Sequence, residues 1–194
     1  MSEKAILIGD SQGSGLSVPL KTALASIGIN VVGSQNHTGQ QTIWFAREQI
    51  TKQMVDRYRP DLVIIALGGN DAQRTLDTWL TGVKEVVNQA KARGARVVWI
   101  GTAFSTRPDV QTRHARVSSW QDASLPQLGV TWINSMPMTQ GGHRDDGVHF
   151  TPSGYRAWAN TIADELAILP GNSFPWIPLL LAGLAGYLFF RTVR

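Results

Sequence analysis

Three short motifs hold the residues of this chain best suited to covalent chemistry: Gly9-Asp10-Ser11-Gln12-Gly13, Gly68-Gly69-Asn70-Asp71 and Asp146-Gly147-Val148-His149. A serine hydroxyl is a weak nucleophile until a base takes its proton. An imidazole does this best when a carboxylate fixes its tautomer and supports its positive charge. Ser11, His149 and Asp146 fit those parts as nucleophile, base and orienting acid. The three-residue step from Asp146 to His149 lets one loop carry base and orienter together, so only Ser11 must be delivered from elsewhere. Attack on an ester carbonyl also creates an oxyanion, which needs preorganised donors. The candidates are the backbone N–H of Ser11, the backbone N–H of Gly39 in Thr38-Gly39-Gln40-Gln41-Thr42, and the side-chain amide of Asn70. Chemistry of this kind calls for no cofactor and no metal.

The same residues have plainer uses. Ser11 could cap a helix that follows a strand, and Asn70 alone would mark a turn. Asp10 reads as structural, and Asp71 as a partner for nearby loop backbone. His143, Asp145, Asp146 and His149 include metal-ligand types, but four candidates on one loop are crowded, and a serine-hydrolase loop accounts for them equally. His37 and His114 read as surface or core histidines. Gln35, Gln40, Arg74, Phe104 and Arg107 fall in loops predicted at the active face, where any of them could shape specificity.

The elements that must position these groups follow a strand-then-helix rhythm. Apolar runs at Ala5–Ile8, Ile29–Val32, Leu62–Leu67, Val97–Ile100 and Val130–Ile133 have the length and β-branched content of buried parallel strands. Between them, Leu76, Trp79, Leu80, Val83, Val87 and Ala90 recur at helical spacing, and Gly94 supplies a stop. Thr151-Pro152 reads as an N-cap and first-turn proline for a last helix that starts just after His149. Five such strands predict a flavodoxin-like α/β/α sandwich of three layers around a five-stranded parallel sheet. Sites in such sheets lie beyond the carboxyl ends of the strands. Ser11, Gly39 and Asn70 each fall a few residues past a predicted strand end.

Taken together, these motifs resemble the SGNH hydrolases, also called GDSL-type esterases, whose four blocks contribute Ser, Gly, Asn and His in that chain order. The resemblance covers about residues 4 to 168 and implies Ser11 as nucleophile, Gly39 and Asn70 as oxyanion donors beside the Ser11 N–H, and Asp146 with His149 in the last block. The chain departs from the pattern at Gln12-Gly13, where many relatives have a leucine. The second block also admits a reading at Gly33-Ser34, although Gln40-Gln41-Thr42 after Gly39 leads into a helix as the family's block does. The family acts on carbohydrate acetyl esters, lipids and thioesters. The implied reaction is hydrolysis of a small acyl ester, acetyl foremost, on O-acetylated envelope or surface polysaccharide. A lipid ester is the second enzymatic reading. A glycan-binding or assembly protein that keeps the fold is the non-enzymatic one.

With 194 residues and 43% hydrophobic content the chain can bury a full core, and it has no cysteine for disulfides or thiolate metal sites. Its net charge of +4 and pI near 9.8 come from scattered lysines and arginines, and no basic, aromatic-interleaved element suggests nucleic-acid binding. The expected organisation is a hydrolase domain at 1–169, a linker at 170–173, an uncharged apolar stretch at 174–190 and a basic tail at 191–194. At roughly 1.5 Å per residue a helix over 174–190 reaches about 25 Å, slightly short of a hydrocarbon core, with Trp176 and Tyr187 near the interfaces. This reads as a membrane anchor; a further core helix or an oligomer contact is the alternative. Met1-Ser2-Glu3-Lys4 leads straight into the first strand, without a secretory signal. The hydrolase is therefore expected at a host or viral membrane, on a side the sequence leaves open, and a virion is one such setting. Oligomeric state is also open.

Overall fold

Short aliphatic runs, rich in Val and Ile, become the strands of one parallel sheet: β1 (Glu3–Gly9), β2 (Ile29–Asn36), β3 (Leu62–Ala66), β4 (Arg96–Ile100) and β5 (Thr131–Ile133). The computed structural model describes residues 2–168, so the expected linker at 170–173, the apolar stretch at 174–190 and the tail at 191–194 lie outside the described residues. The strand order is β2-β1-β3-β4-β5 with every neighbouring pair parallel, the flavodoxin-like order, which reverses direction between β1 and β3. Residues 5–8 of β1 and 62–65 of β3 are fully buried. Covered on both faces, they read as continuous apolar runs rather than as an alternation.

Among the described residues six α-helices join and cover the strands: α1 (Ser11–Ala25), α2 (Thr42–Arg47), α3 (Ile50–Tyr58), α4 (Leu76–Lys91), α5 (Pro108–Ser124) and α6 (Pro152–Ile168). Ile6, Ile8, Val63, Ile65 and Trp99 point to one face, where they pack with Phe45, Met54, Trp79 and Val83 from α2, α3 and α4. Leu7, Ile64 and Val98 alternate with them and face the other layer. There Gly15 of α1 sits so close to the Tyr155 ring of α6 that no side chain would fit. Burying each Leu or Ile is worth roughly 1.5–3 kcal/mol, which makes this double-sided sheet the rigid base for the turns above it. The α4 stripe departs from the predicted one at its start and middle, where Leu80 is only half-buried. Leu76, the first residue of the helix, is exposed, and Val86 joins the buried set.

The chain is divided between a unit of 1–163 and a second one beginning at residue 164, of which the described part, 164–168, is the last stretch of α6. Among the described residues no helix is long and apolar enough to cross a membrane.

Candidate active site

β1 runs into α1 with only Asp10 between them. The cap of α1 is Asp10 and not Ser11: Asp10 Oδ1 accepts the Gln12 N–H at 2.9 Å. The plainer reading of Ser11 as a cap is thereby corrected, because an acceptor one residue earlier already serves the orphan amide. Asp10 itself is 2% exposed. Burial pushes its pKa up to about 7, against the pull of the Gln12 N–H, and the nearby Asp71 carboxylate adds to the rise.

The Ser11 hydroxyl instead meets the histidine. His149 Nε2 lies 3.0 Å from Ser11 Oγ, and His149 Nδ1 lies 2.8 Å from Asp146 Oδ2. A carboxylate only accepts, so the Nδ1–H donates to Asp146, and the free Nε2 lone pair faces the serine O–H. Asp146 Oδ1 accepts the backbone N–H groups of Val148 and His149, each at 2.8 Å. Those two amides, with the imidazole, hold the Asp146 carboxyl well below the usual carboxylate range. The spacing seen in the sequence thus works as a self-contained turn. It is anchored by Ser105 Oγ–H and the Thr106 N–H on the Gly147 carbonyl (2.7 and 2.9 Å), and by His143, whose Nε2–H donates to the Phe104 carbonyl at 2.9 Å. His143 is therefore spent on the loop's own anchorage. Among the described residues, no group of three or more His, Asp or Glu is placed to hold a metal.

Ser11, Gly39 and Asn70 line one cleft of about 340 Å3, above the switch point of the sheet. Gly39 has φ +76°, a conformation that favours glycine, with open space where a side chain would stand. The N–H groups of Ser11 and Gly39 donate no hydrogen bond within the described residues. Gly33, the alternative for this block, lies inside β2 opposite Ile6 and against the Tyr58 ring, away from the cleft. Gln35 also belongs to β2 rather than to a loop. The Asn70 amide is engaged: Nδ2 donates to Asp10 Oδ2 and to the Gln40 carbonyl, both at 3.1 Å.

Asp71 reaches much farther than the nearby loop backbone expected for it. Its carboxylate accepts the Thr42 N–H (2.9 Å) and the Thr42 hydroxyl (2.5 Å), giving α2 a cap that its own flanking residue Gln41 does not provide. Asp71 is 1% exposed, and burial pushes its pKa up to about 6 against these two bonds. Gln41 Nε2 donates to the Asn70 carbonyl at 3.1 Å, and Arg74 donates to Gln41 Oε1. The Gly39 turn and the Asn70 turn are thus laced together by buried and half-buried polar groups.

Two residues at the site do more than the sequence analysis assigns them. Gln12, marked there only as a departure from leucine, donates from Nε2 to the Val148 carbonyl at 2.8 Å and accepts the Tyr155 hydroxyl at Oε1 at 2.9 Å. It ties the serine turn to the histidine loop. The signal was available: a long amide directly after the nucleophile must be satisfied if it is buried. His114, 4% exposed, stands in the cleft wall on α5 with Arg113; its Nδ1–H donates to the Ala103 carbonyl at 2.8 Å, and burial pushes its pKa down.

A doubly wound parallel sheet with serine, histidine and carboxylate in hydrogen-bonded series beyond its strand ends defines a class, the flavodoxin-like serine hydrolases. Residues 7–157 match the GDSL-like Lipase/Acylhydrolase family, and the chain belongs to that family as a carboxylic ester hydrolase of the SGNH type. It is similar to an arylesterase from Vibrio mimicus, 24% identical over 183 residues that cover 85% of this chain and 88% of that protein. Its fold is shared by a lipase/acylhydrolase from Enterococcus faecalis, with TM-score 0.67 and 21% identity over 84% of this chain and 95% of that one. A carbohydrate acetylesterase from Sinorhizobium meliloti gives TM-score 0.69 and 16% identity over 86% and 99%.

Proposed function

We propose that this hydrolase cleaves small acyl esters, acetyl foremost, through a Ser11–His149–Asp146 triad and an acyl-enzyme. The observation that carries the reading is the pair of bonds Ser11 Oγ to His149 Nε2 and His149 Nδ1 to Asp146, which orients one lone pair on one hydroxyl. Ser11 Oγ attacks the ester carbonyl as its proton passes to Nε2. Asp146 supports the imidazolium, which then protonates the departing alkoxide. Water, deprotonated by the same nitrogen, attacks the acyl-serine and releases the acid and free Ser11. The oxyanion formed in each half is received by the unengaged N–H groups of Ser11 and Gly39. Asn70 joins them by turning to the oxyanion the hydrogen it gives to the Gln40 carbonyl, since a full negative charge is a better acceptor than a neutral carbonyl.

The cleft lining favours a short, polar ester. Gln41, Asn70, Gln73, Arg113 and His114 outnumber the apolar Ala72, Val110 and Val148, whereas a long acyl chain would need a mainly apolar channel. The arylesterase and acetylesterase among the similar proteins point the same way, and an O-acetylated polysaccharide is the first candidate substrate. For the chain as a whole we extend the reading to a membrane-attached enzyme, on the apolar sequence of 174–190; recovery of the full chain in the soluble fraction after cell lysis would remove that extension.

Rates on p-nitrophenyl esters of increasing acyl length should fall sharply beyond acetyl, and rates that rise with length would favour the lipid ester instead. Ser11→Ala should lower kcat by about a thousandfold or more with folding intact. A folded wild-type protein without turnover on any ester, in which Ser11→Ala leaves a glycan partner bound, would favour the binding role.

A further inference from the structure

We propose that the alcohol part of the natural ester carries a carboxylate, read by Arg113 on the cleft wall. The inference rests on the esterase reading above, in which a small acyl group leaves the alcohol as the only part large enough to bear a second charge. Arg113 lines the cleft, and its side chain is 42% exposed. Among the described residues its guanidinium makes one ionic contact, Nη2 to Asp109 Oδ2 at 3.1 Å. That carboxylate is already held by Arg107 through Nε (3.3 Å) and Nη2 (3.1 Å). Two guanidiniums on one carboxylate leave a positive charge over, and Arg113 keeps most of its five donors uncommitted.

The neighbouring cations add to it, because their own acceptors carry no charge. One turn along α5, Arg116 donates to the Ala72 carbonyl and lies over the Trp120 ring. Arg74 donates twice to the Gln41 amide oxygen. Both acceptors are neutral, and both Ala72 and Gln41 line the cleft. The carboxylates on this side are Asp71, buried and facing Arg74, and Asp10, buried with its pKa pushed up to about 7. One wall of the cleft is therefore basic, while the serine, the glycine turn and the histidine loop occupy the rest. A guanidinium fork matches a carboxylate in plane and charge, and gives a neutral sugar hydroxyl far less. The substrate class is thus an acylated acidic alcohol, such as an O-acetylated uronate-bearing glycan.

The test is a double ratio on the full chain. We would measure kcat/KM for 4-acetoxybenzoate and for its neutral twin, methyl 4-acetoxybenzoate, with wild type, Arg113→Gln and Arg113→Lys. Intrinsic reactivity of the two esters cancels when their ratio is compared between proteins. Arg113→Gln should lower the ratio of charged to neutral ester by about tenfold, with Arg113→Lys between it and wild type. Raising the salt from 0.05 to 0.5 M, both order-of-magnitude choices around the screening range, should shrink the wild-type ratio and barely move that of the Gln variant. An unchanged ratio in Arg113→Gln overturns the inference while leaving the esterase reading intact, and so does an equal loss on both esters. A folded wild type that cleaves neither ester removes both readings together.

Discussion

The half of the site built on strand ends and the half built on the 142–151 loop hold their carboxylates in opposite ways. Asp10 and Asp71 are 2% and 1% exposed, and burial pushes their pKa values up to about 7 and about 6. Asp146 is 47% exposed, and backbone N–H groups pull it well below the usual range. The partners differ in reach as well. Asp71 bonds Thr42 and Asp10 meets Asn70, so the buried pair fixes three turns that are distant in sequence. Among the described residues Asp146 bonds only Val148 and His149. A base and its orienter can be arranged by one short turn, at the surface, with little cost in desolvation. Bringing a serine, a glycine and an asparagine to one point takes long-range polar bonds, and those withstand competition from water only when buried.

Asp146→Asn gives the contrast its severest test. The asparagine carbonyl can keep the Val148 and His149 amides, but its NH2 then faces His149 Nδ1. The imidazole is driven to the tautomer with hydrogen on Nε2, which cannot take the Ser11 proton. Activity on p-nitrophenyl acetate should fall by about 10²- to 10⁴-fold while the thermal midpoint stays near that of wild type, since the residue is half exposed and bonds only its own turn. A large drop in melting temperature would show that the loop contributes to the fold as the buried half does.

The buried half should declare itself through pH. A carboxyl whose pKa is higher folded than unfolded holds its proton more tightly in the folded chain. Its stabilising contribution is therefore full below its ordinary value of 3.8 and is lost as pH rises through the folded value. For Asp71 that window runs from 3.8 to about 6, a loss of roughly 3 kcal/mol; for Asp10 it runs from 3.8 to about 7. Asp146 works with the opposite sign but, half exposed, only weakly, its small contribution being present above 3.8 and lost as pH falls below it. Denaturant midpoints should thus decline between pH 4 and 7, and Asp71→Asn should flatten the part below pH 6. An undiminished slope in that variant would mean that Asp71 is not the titrating group.

The same division explains what could be read in advance. The Asp146–His149 turn was legible because it is local, and the strands because residues buried on both faces leave unbroken aliphatic runs. Gly39 was preferred over Gly33 on the helix that follows it, and the register of β1 with β2 gives the physical reason: Gly33 is a ladder residue. The long-range bonds were not legible. Asp71 looks like any turn aspartate until Thr42, 29 positions away in sequence, is seen beneath it. The cleft wall on α5 was missed because its buried positions include His114, Ser118 and Gln121, which break the apolar stripe that would have marked the helix.

Gln12 joins the two halves, and its removal should show how far either depends on the other. The residue is 8% exposed, and its amide spans from the serine turn to Val148 on one side and Tyr155 on the other. Gln12→Met keeps the length and loses both bonds, leaving the Val148 carbonyl without this donor and the Tyr155 hydroxyl without this acceptor. We expect about a tenfold fall in kcat with a smaller change in KM, because His149, two bonds from the strap, is held less closely to Ser11. Tyr155→Phe removes only the second bond, and should cost roughly 1 kcal/mol of stability while changing kcat less than twofold, by the same estimate of a neutral buried bond. If Tyr155→Phe lowers kcat as much as Gln12→Met does, the histidine loop is positioned through α6 rather than through the serine turn, and the two halves of the site are less separate than their carboxylates suggest.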